Sequence, residues 1–304
     1  MLLLECAHRL KKSVVKLYRD YFTIDGTSSS LLPDRIYVQK QFYQRTGKKL
    51  NLRNPQTFTE KLNWLKLYDH RPEYTLMVDK YAVRQYVQDT IGEGYLVPLI
   101  GVWERVEDIP FESLPDQFVL KCNHDNGVII CRDKSKFDVE AAKKKLSLHL
   151  SRNWYKKTRE WPYKNVSRKI IAEELLSDVK DTPLIDYKFF CFDGEVKALF
   201  IATDRPYDTR FDFFDKQFVH LPIINGHPNS EKTINKPANF EEMLAVAEKL
   251  SAGIPHVRID LYNVKGKIYF GEMTFHHFGG LHPLEPNEWE TTFGNWITLP
   301  RKKR

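Results

Sequence analysis

Two carboxylates, Asp260 and Glu272, stand in a stretch rich in Val, Ile, Leu, Tyr and Phe, VRIDLYNVKGKIYFGEMTF (257–275). Val257, Ile259 and Leu261 alternate with Arg258, Asp260 and Tyr262, a turn-like run surrounds Gly266, and Ile268, Phe270, Glu272 and Thr274 are expected on one face of the return strand. A hairpin centred on Gly266 sets Asp260 opposite Glu272, since each lies six residues away. Directly opposed antiparallel residues share a face with Cβ atoms roughly 4.5–5.5 Å apart, and like charges placed there repel. A positive partner is therefore expected between them. Mg2+ suits carboxylate oxygens, and in phosphoryl-transfer sites it takes one or two protein carboxylates while phosphates and water fill its other positions. Thr274 can add an oxygen or orient a water. A solvated edge hairpin is the competing reading.

A nucleoside triphosphate beside such a metal needs lysines to neutralise its phosphates, a backbone loop over them and an apolar slot for the base. Lys121 ends the apolar strand FVLK and adjoins the polar loop Asn123-His124-Asp125-Asn126-Gly127, whose N–H groups can approach phosphate, although it holds a single glycine. Lys80 follows Asp79 at an expected helix N-terminus, a natural anion site. Lys188, in DYKFF, alternates with apolar neighbours on a strand and calls for an anionic partner.

The elements that position these residues follow from periodicity. Residues 1–75 read as mainly helical. Leu4, Ala7, Leu10, Val14, Val15 and Leu17 mix with lysine and arginine in a basic amphipathic helix that can dock on the protein's own core or lie on a membrane surface. In NPQTFTEKLNWLKLYD, Thr57 and Glu60 form a capping-box start and Phe58, Leu62, Leu65 and Leu67 a buried stripe. A further helix is expected from near Asp79 to Gly92. FVLKCNHDNGVIICRD reads as strand, loop, strand; DVEAAKKKLSLHLSRNWY as a helix; RKIIAEELL and DYKFFCFDGEVKALFIATD as strands, the latter folded at Asp193-Gly194. ANFEEMLAVAEKLSAG reads as a helix capped by Asn239 and stopped by Gly253. This order is not the strand–helix alternation of a doubly wound parallel sheet.

A chain of 304 residues can bury a substantial core and hold two or three subdomains. No apolar run approaches the roughly 20 residues that span a bilayer, and the opening MLLLECAHRLKK is too short in its apolar part for a secretory signal, so residence in the cytoplasm is expected. Cys6, Cys122, Cys131 and Cys191 show neither a CxxC pair nor zinc-ligand spacing. Lys and Arg exceed Asp and Glu by 47 to 40, a net charge of +7 that favours anionic partners. A nucleic-acid partner is not expected, since the sequence shows no zinc-finger spacing, RNP-type aromatic motif or long basic stripe. Acidic sugars, polyphosphates or the anionic inner membrane surface explain the balance equally, and peripheral association with that surface stays open.

The order DK (79–80), FVLK with its loop (118–127), IAEELL (171–176), DYKFFCFDG (186–194), RID ending at Asp260 and GEMT beginning beside Glu272 resembles the ATP-grasp enzymes. From NPQTFTEKLNWLKLYD to YFGEMTFHHFGG the chain further resembles the TupA-like, teichuronopeptide-biosynthesis group of that superfamily, over roughly residues 40–300. The resemblance implies an α+β, ATP-grasp fold in which two α+β subdomains with antiparallel sheets clasp ATP, preceded by a helical N-terminal region. The expected division is 1–78 for that region, 79–176 for the small subdomain and 177–304 for the large subdomain with the metal site. It implies ATP and Mg2+ as cofactors. Lys80 and Lys121 match phosphate contacts, with Asn123, Asn126 and Gly127 in the loop beside them. Glu173, Glu174, Leu175 and Leu176 match the strand whose backbone pairs with adenine, and Asp186 the acidic ribose contact. Lys188 fits a basic position near the phosphates or acceptor, Arg210 a second anion contact, and Asp260 and Glu272 the metal carboxylates. Two departures stand out. Thr274 takes the place of the usual Asn ligand, and His276-His277-Phe278-Gly279-Gly280 replaces a Pro-Gly turn, so that His276 and His277 can contact the acceptor or act as base.

The implied activity is ATP-dependent carboxylate–amine ligation through an acyl phosphate, with an acidic sugar or polysaccharide precursor and an amino acid or amine as partners. A sugar kinase and a glycosyltransferase of polysaccharide biosynthesis are the alternatives.

Overall fold

The computed structural model describes residues 32–176, 184–204 and 208–301. The amphipathic segment expected within residues 4–17 lies outside the described residues, as does the end of the terminal RKKR run. In chain order the elements are α1 (Asp34–Thr46), α2 (Phe58–Tyr68), α3 (Glu73–Val78), α4 (Val83–Ile91), β1 (Leu99–Trp103), β2 (Phe118–Cys122), β3 (Val128–Cys131), α5 (Val139–Ser151), α6 (Trp154–Thr158) and β4 (Ile170–Glu174). There follow β5 (Asp186–Phe192), β6 (Glu195–Thr203), β7 (Arg210–Asp215), β8 (His220–Leu221), α7 (Phe240–Ser251), β9 (Val257–Val264), β10 (Lys267–Thr274) and α8 (Asn287–Trp296). Among the described residues no helix is long and apolar enough to cross a membrane.

The strands form two antiparallel sheets, ordered β1-β4-β2-β3 and β10-β9-β5-β6-β7-β8. Alternation along each strand gives every sheet two unlike faces. In the small sheet Phe118, Leu120, Cys122, Cys131, Ile170 and Ala172 pack with Leu146 of α5. The register places Val119, Lys121, Val128, Ile130, Ile171 and Glu173 together on the opposite face. The large sheet is covered on both sides. Tyr187, Phe189, Leu199, Ile201, Ile259 and Leu261 meet α3, α4 and α7 through Met77, Val83, Val87, Phe240 and Met243. Phe190, Phe200 and Phe213 meet α1, α2 and α8 through Val38, Phe42, Phe58, Leu62 and Phe293. Phe58 and Phe293 pack edge-on against Phe190, and truncating one such ring costs about 3–5 kcal/mol.

Local chemistry explains the element boundaries. Thr57 and Glu60 make the expected capping box at the start of α2. Asp193 and Gly194 both take positive φ, 50° and 84°, as a tight hairpin turn between twisted strands requires. The helix expected from Asp79 begins later, at Val83, because Asp79 closes a turn first by accepting the N–H groups of Tyr81 and Ala82. Asn239 precedes α7 without capping it through its side chain, which instead bonds Gly266 O and Asn263 across to the hairpin.

Candidate active site

The pairing of β9 with β10 contains the expected opposition of Asp260 and Glu272, reached by a route the sequence did not reveal. The turn at Lys265-Gly266 joins Val264 to Lys267, so continuous pairing would set Asp260 against Gly271. A bulge at Gly271 inserts one residue and brings Glu272 into register. It also reverses the side-chain alternation. Ile268 and Phe270 face the core beneath α7, whereas Glu272 and Thr274 lie with Asp260 on the other face, which corrects the expectation that all four residues share a face. Glycine suits the bulge, because a Cβ there would stand 3.0 Å from the Asp260 carbonyl oxygen and 3.2 Å from the Tyr262 ring, closer than ordinary contact.

Lys188 of β5 lies directly opposite Asp260, so Asp186, Lys188, Arg258, Asp260, Glu272 and Thr274 share one face. The positive group between the carboxylates is supplied by the chain itself. Arg258 donates from Nε to Asp260 Oδ1 at 2.6 Å and from Nη2 to Asp260 Oδ2 at 2.8 Å, Thr274 Oγ1 at 3.0 Å and Glu272 Oε1 at 3.4 Å. Lys188 also donates to Asp260 Oδ2, the oxygen it shares with Arg258 Nη2, and pairs with Asp186 at 3.5 Å. Burial pushes the Asp260 carboxyl up while Arg258 and Lys188 pull it back. Burial also opposes ionisation of Glu272, but Lys80, Lys188 and Arg258 outweigh it and hold the carboxyl down at about 2. Sequence reasoning missed Arg258 as a site residue; the available signal was its place two residues before Asp260, on the same strand face.

The small-sheet side reaches this cluster through Lys80, whose Nζ lies 3.8 Å from Glu272 Oε2 and donates to Asp125 O at 2.8 Å. Tyr262, opposite Asp186 on the same face, has its hydroxyl pKa raised well above the ordinary range by burial and by the charges of Asp186, Glu272, Asp260 and Glu173. Lys121 bonds Glu173 at 2.6 Å, and Arg84 approaches the other oxygen of Glu173 at 3.3 Å. Val128 and Ile130, 40% and 49% exposed, stand opposite Lys121 and Val119 and form an apolar wall beside them.

Other expected residues are placed differently. Asn123 is a fully buried strap: its amide donates to Ser167 O and accepts from Lys169 N, and its carbonyl accepts from Lys80 N. Gly127 gives its N–H to Asp125 Oδ1, while Asp125 Oδ2 pairs with His149, and a Cβ at Gly127 would collide with that imidazole. Asn126 is exposed at the loop tip. Glu174 ends β4 with its N–H on Pro98 O, and Leu176 follows half-buried beyond the strand. Arg210 is not brought to the cluster. Its partner Thr203 lies on the face opposite Ala202 and Asp186, so Arg210 points to the other side of the sheet, on β7, where it pairs with Asp208 at 2.9 Å. His276 is buried with Nδ1 3.5 Å from Glu160, so that its neighbour His277, rather than His276, contacts Arg258.

Among the described residues no group of His, Cys, Asp or Glu forms a ready metal cage of three or more. The donors on this face are two carboxylates and a hydroxyl, all hard oxygen, and they fit Mg2+ as an ion that takes much of its shell from phosphate and water. Asp260 is enclosed by Arg258 and Lys188, whereas the Glu272 side chain, 37% exposed, is the freer donor.

No curated protein matches the sequence at a significant level. Among solved structures the chain resembles D-alanine–D-alanine ligase from Bacillus anthracis complexed with ATP, at 16% identity over 66% of this chain and 54% of that one, with a TM-score of 0.38. It resembles the ATP-grasp ligase PsnB complexed with minimal precursor, Mg and ADP (12% identity, 71% and 57% covered, TM-score 0.37). D-cycloserine synthetase DcsG is similar at 15% identity over 73% and 69% of the two chains, with a TM-score of 0.41. The chain spans little more than half the length of the first two. Likenesses this loose carry no argument about chemistry. The family model for TupA-like ATP-grasp proteins, in contrast, matches residues 60–298, which include both sheets and every charged residue of the cluster, and the chain belongs to that family.

Proposed function

We propose that the protein is an ATP- and Mg2+-dependent carboxylate–amine ligase that forms an amide through an acyl phosphate, joining an amino acid or amine to a uronic acid of a surface polysaccharide or its precursor. Family membership supports the ATP and ligase parts; the sugar rests on kinship with the teichuronopeptide group, since a fold does not specify an acceptor. The observation that carries the reading is the cation array on Glu272, with Arg258 at 3.4 Å and Lys80 at 3.8 Å, beside Lys188 on Asp260. Such an array is built for a polyanion rather than for a neutral ligand.

In this reading the base lies against Val128 and Ile130 with its edge along the backbone at Glu174–Leu176, and the phosphates run toward Lys80, Lys121 and Lys188. Asp260 and Glu272, with Thr274, would hold Mg2+, which supplies neutralisation of phosphate charge. A carboxylate oxygen of the acceptor attacks the γ-phosphorus, the bond to the bridging oxygen breaks and ADP leaves. The amine nitrogen then attacks the acyl carbon, the carbon–oxygen bond to phosphate breaks, and the nitrogen gives up a proton. Arg258 and Lys188 act by position and charge, meeting the negative charge that develops on phosphoryl oxygens.

The test mixes the protein with ATP, Mg2+, glucuronic acid or uronate oligosaccharides, and hydroxylamine in place of the amine. Release of ADP and phosphate with formation of a hydroxamate is expected. ATP consumed with phosphate retained on the sugar replaces the ligase by a kinase, and failure to bind ATP in the presence of Mg2+ sinks both.

A further inference from the structure

His277 is enclosed, 2% exposed, and its ring nitrogens meet different partners. Nδ1 lies 2.8 Å from Nη1 of Arg258, and Nε2 lies 2.7 Å from Oδ1 of Asn225. A guanidinium can only donate, so Nδ1 is the acceptor of that bond and carries no proton. The second contact is decided from its far end. Asn225, 0% exposed, donates through Nδ2 to the carbonyls of His282 at 3.0 Å and Pro283 at 3.1 Å. Turning the amide over would set its oxygen against both carbonyls. Oδ1 therefore faces His277, and Nε2 bears the ring proton.

We propose that His277, locked by Asn225 in its Nε2–H tautomer, is the positioning residue for Arg258. Two fixed backbone carbonyls orient the Asn225 amide, the amide selects the tautomer, and the tautomer presents a lone pair to the guanidinium. Of the five N–H groups of Arg258, Nε and Nη2 are taken by Asp260, Thr274 and Glu272 and one Nη1–H by His277. The other Nη1–H has no acceptor among the described residues, and holding its partner fixes where it can point. The groups around His277 reinforce the neutral ring. Burial first, then Arg258 of β9, His256 before it, Lys188 of β5 and His282 beyond, push its pKa well below the ordinary histidine value, and Phe190, Phe200 and Phe278 pack about it within 5.5 Å. A proton added at Nδ1 would stand against the guanidinium.

Two substitutions divide the contacts, since an Asn side chain reaches the position of Nδ1 and a Gln side chain that of Nε2. His277→Gln should lower kcat for ADP release, with ATP, Mg2+, glucuronate and hydroxylamine, by roughly ten- to a hundredfold, while the calorimetric Kd for ATP changes by less than about threefold. His277→Asn should lose about tenfold less, because it restores an acceptor to Arg258. Equal losses in the two variants, or the reverse order, with both melting as folded proteins, would assign His277 to packing and overturn the proposal. This arm rests on the ligase reading. The other does not: 15N-histidine NMR of the unaltered protein should show the His277 signal, identified by its loss in His277→Gln or His277→Asn, as the neutral Nε2–H tautomer. An Nδ1–H tautomer, or an imidazolium near neutral pH, overturns the proposal whether or not ATP is turned over.

Discussion

Lys121→Met separates binding from folding, because the same ammonium holds Glu173 in the protein and is assigned to phosphate in the proposed function. Lys121 and Glu173 are 2.6 Å apart with side chains 17% and 8% exposed, so the substitution strips one cation from a carboxylate that water scarcely reaches. Breaking a buried pair outright costs about 3–5 kcal/mol. Arg84 stays at 3.3 Å, anchored in turn to Val97 O at 2.9 Å, and should retain part of that interaction. A net loss of about 1–3 kcal/mol is expected, which for a chain of this size lowers Tm by roughly 2–12 °C. Met preserves the apolar stem on β2, opposite Val128 and Ile171, so the strand itself should persist. A charge-assisted phosphate contact is worth roughly 1.5–3 kcal/mol, so ATP should bind about ten- to a hundredfold more weakly. Adding Glu173→Gln removes the stranded charge. The double variant should regain most of the lost Tm in differential scanning calorimetry yet keep the weakened ATP affinity in titration calorimetry with Mg2+. Wild-type affinity in the double variant would refute the phosphate role and leave the pairing with Glu173 as the whole purpose of Lys121.

Glu272→Gln should reduce kcat/KM by about a thousandfold, roughly 4 kcal/mol, in a protein that is less stable near neutral pH but still folded at the assay temperature; near wild-type turnover would exclude Glu272 from the site. Since its folded pKa of about 2 lies below the ordinary 4.5, ionised Glu272 contributes stability above about pH 4.5 that fades as pH falls toward 2, and the variant should lack that part of the acid slope in urea titrations. Lys66, 1% exposed and bonded to Gly279 O and Asn63, has its pKa pushed by burial from 10.5 down to about 8, with Glu160 pulling the other way. The unfolded chain therefore binds more protons between those values, so stability should rise with pH across that window, by up to about 3 kcal/mol, and Lys66→Met should flatten the rise; equal slopes would mean that Lys66 is charged in the fold throughout. Gly271→Ala should cost about 1–3 kcal/mol and impair ATP turnover beyond that loss of stability, because its Cβ would press on the Asp260 carbonyl and the Tyr262 ring; unaltered turnover would show that the bulge does not set the spacing of the carboxylates.

Features carried by a few neighbouring residues were legible in the sequence by itself. Asp193-Gly194 marks a hairpin because its two residues accept positive φ, Thr57 and Glu60 mark a helix start because they satisfy each other's free N–H groups, and FVLK alternates as a strand with one dry face. The ordered motifs from Lys80 to Glu272 sufficed for the family and its pair of antiparallel sheets. What tertiary structure alone decided are matters of parity and of distant partners. The strand period is two, so the single extra residue at Gly271 turns Glu272 and Thr274 away from Ile268 and Phe270, and one step along β7 puts Arg210 on the wrong side of the sheet for Lys188. The cation expected between Asp260 and Glu272 already exists in Arg258, and His277 rather than His276 reaches it, because Asn225 and the carbonyls of His282 and Pro283 converge there only when the chain has folded. Residue type told which groups could take part. Register and long-range closure decided which of them meet, since those depend on pairing summed along whole strands rather than on any local stretch.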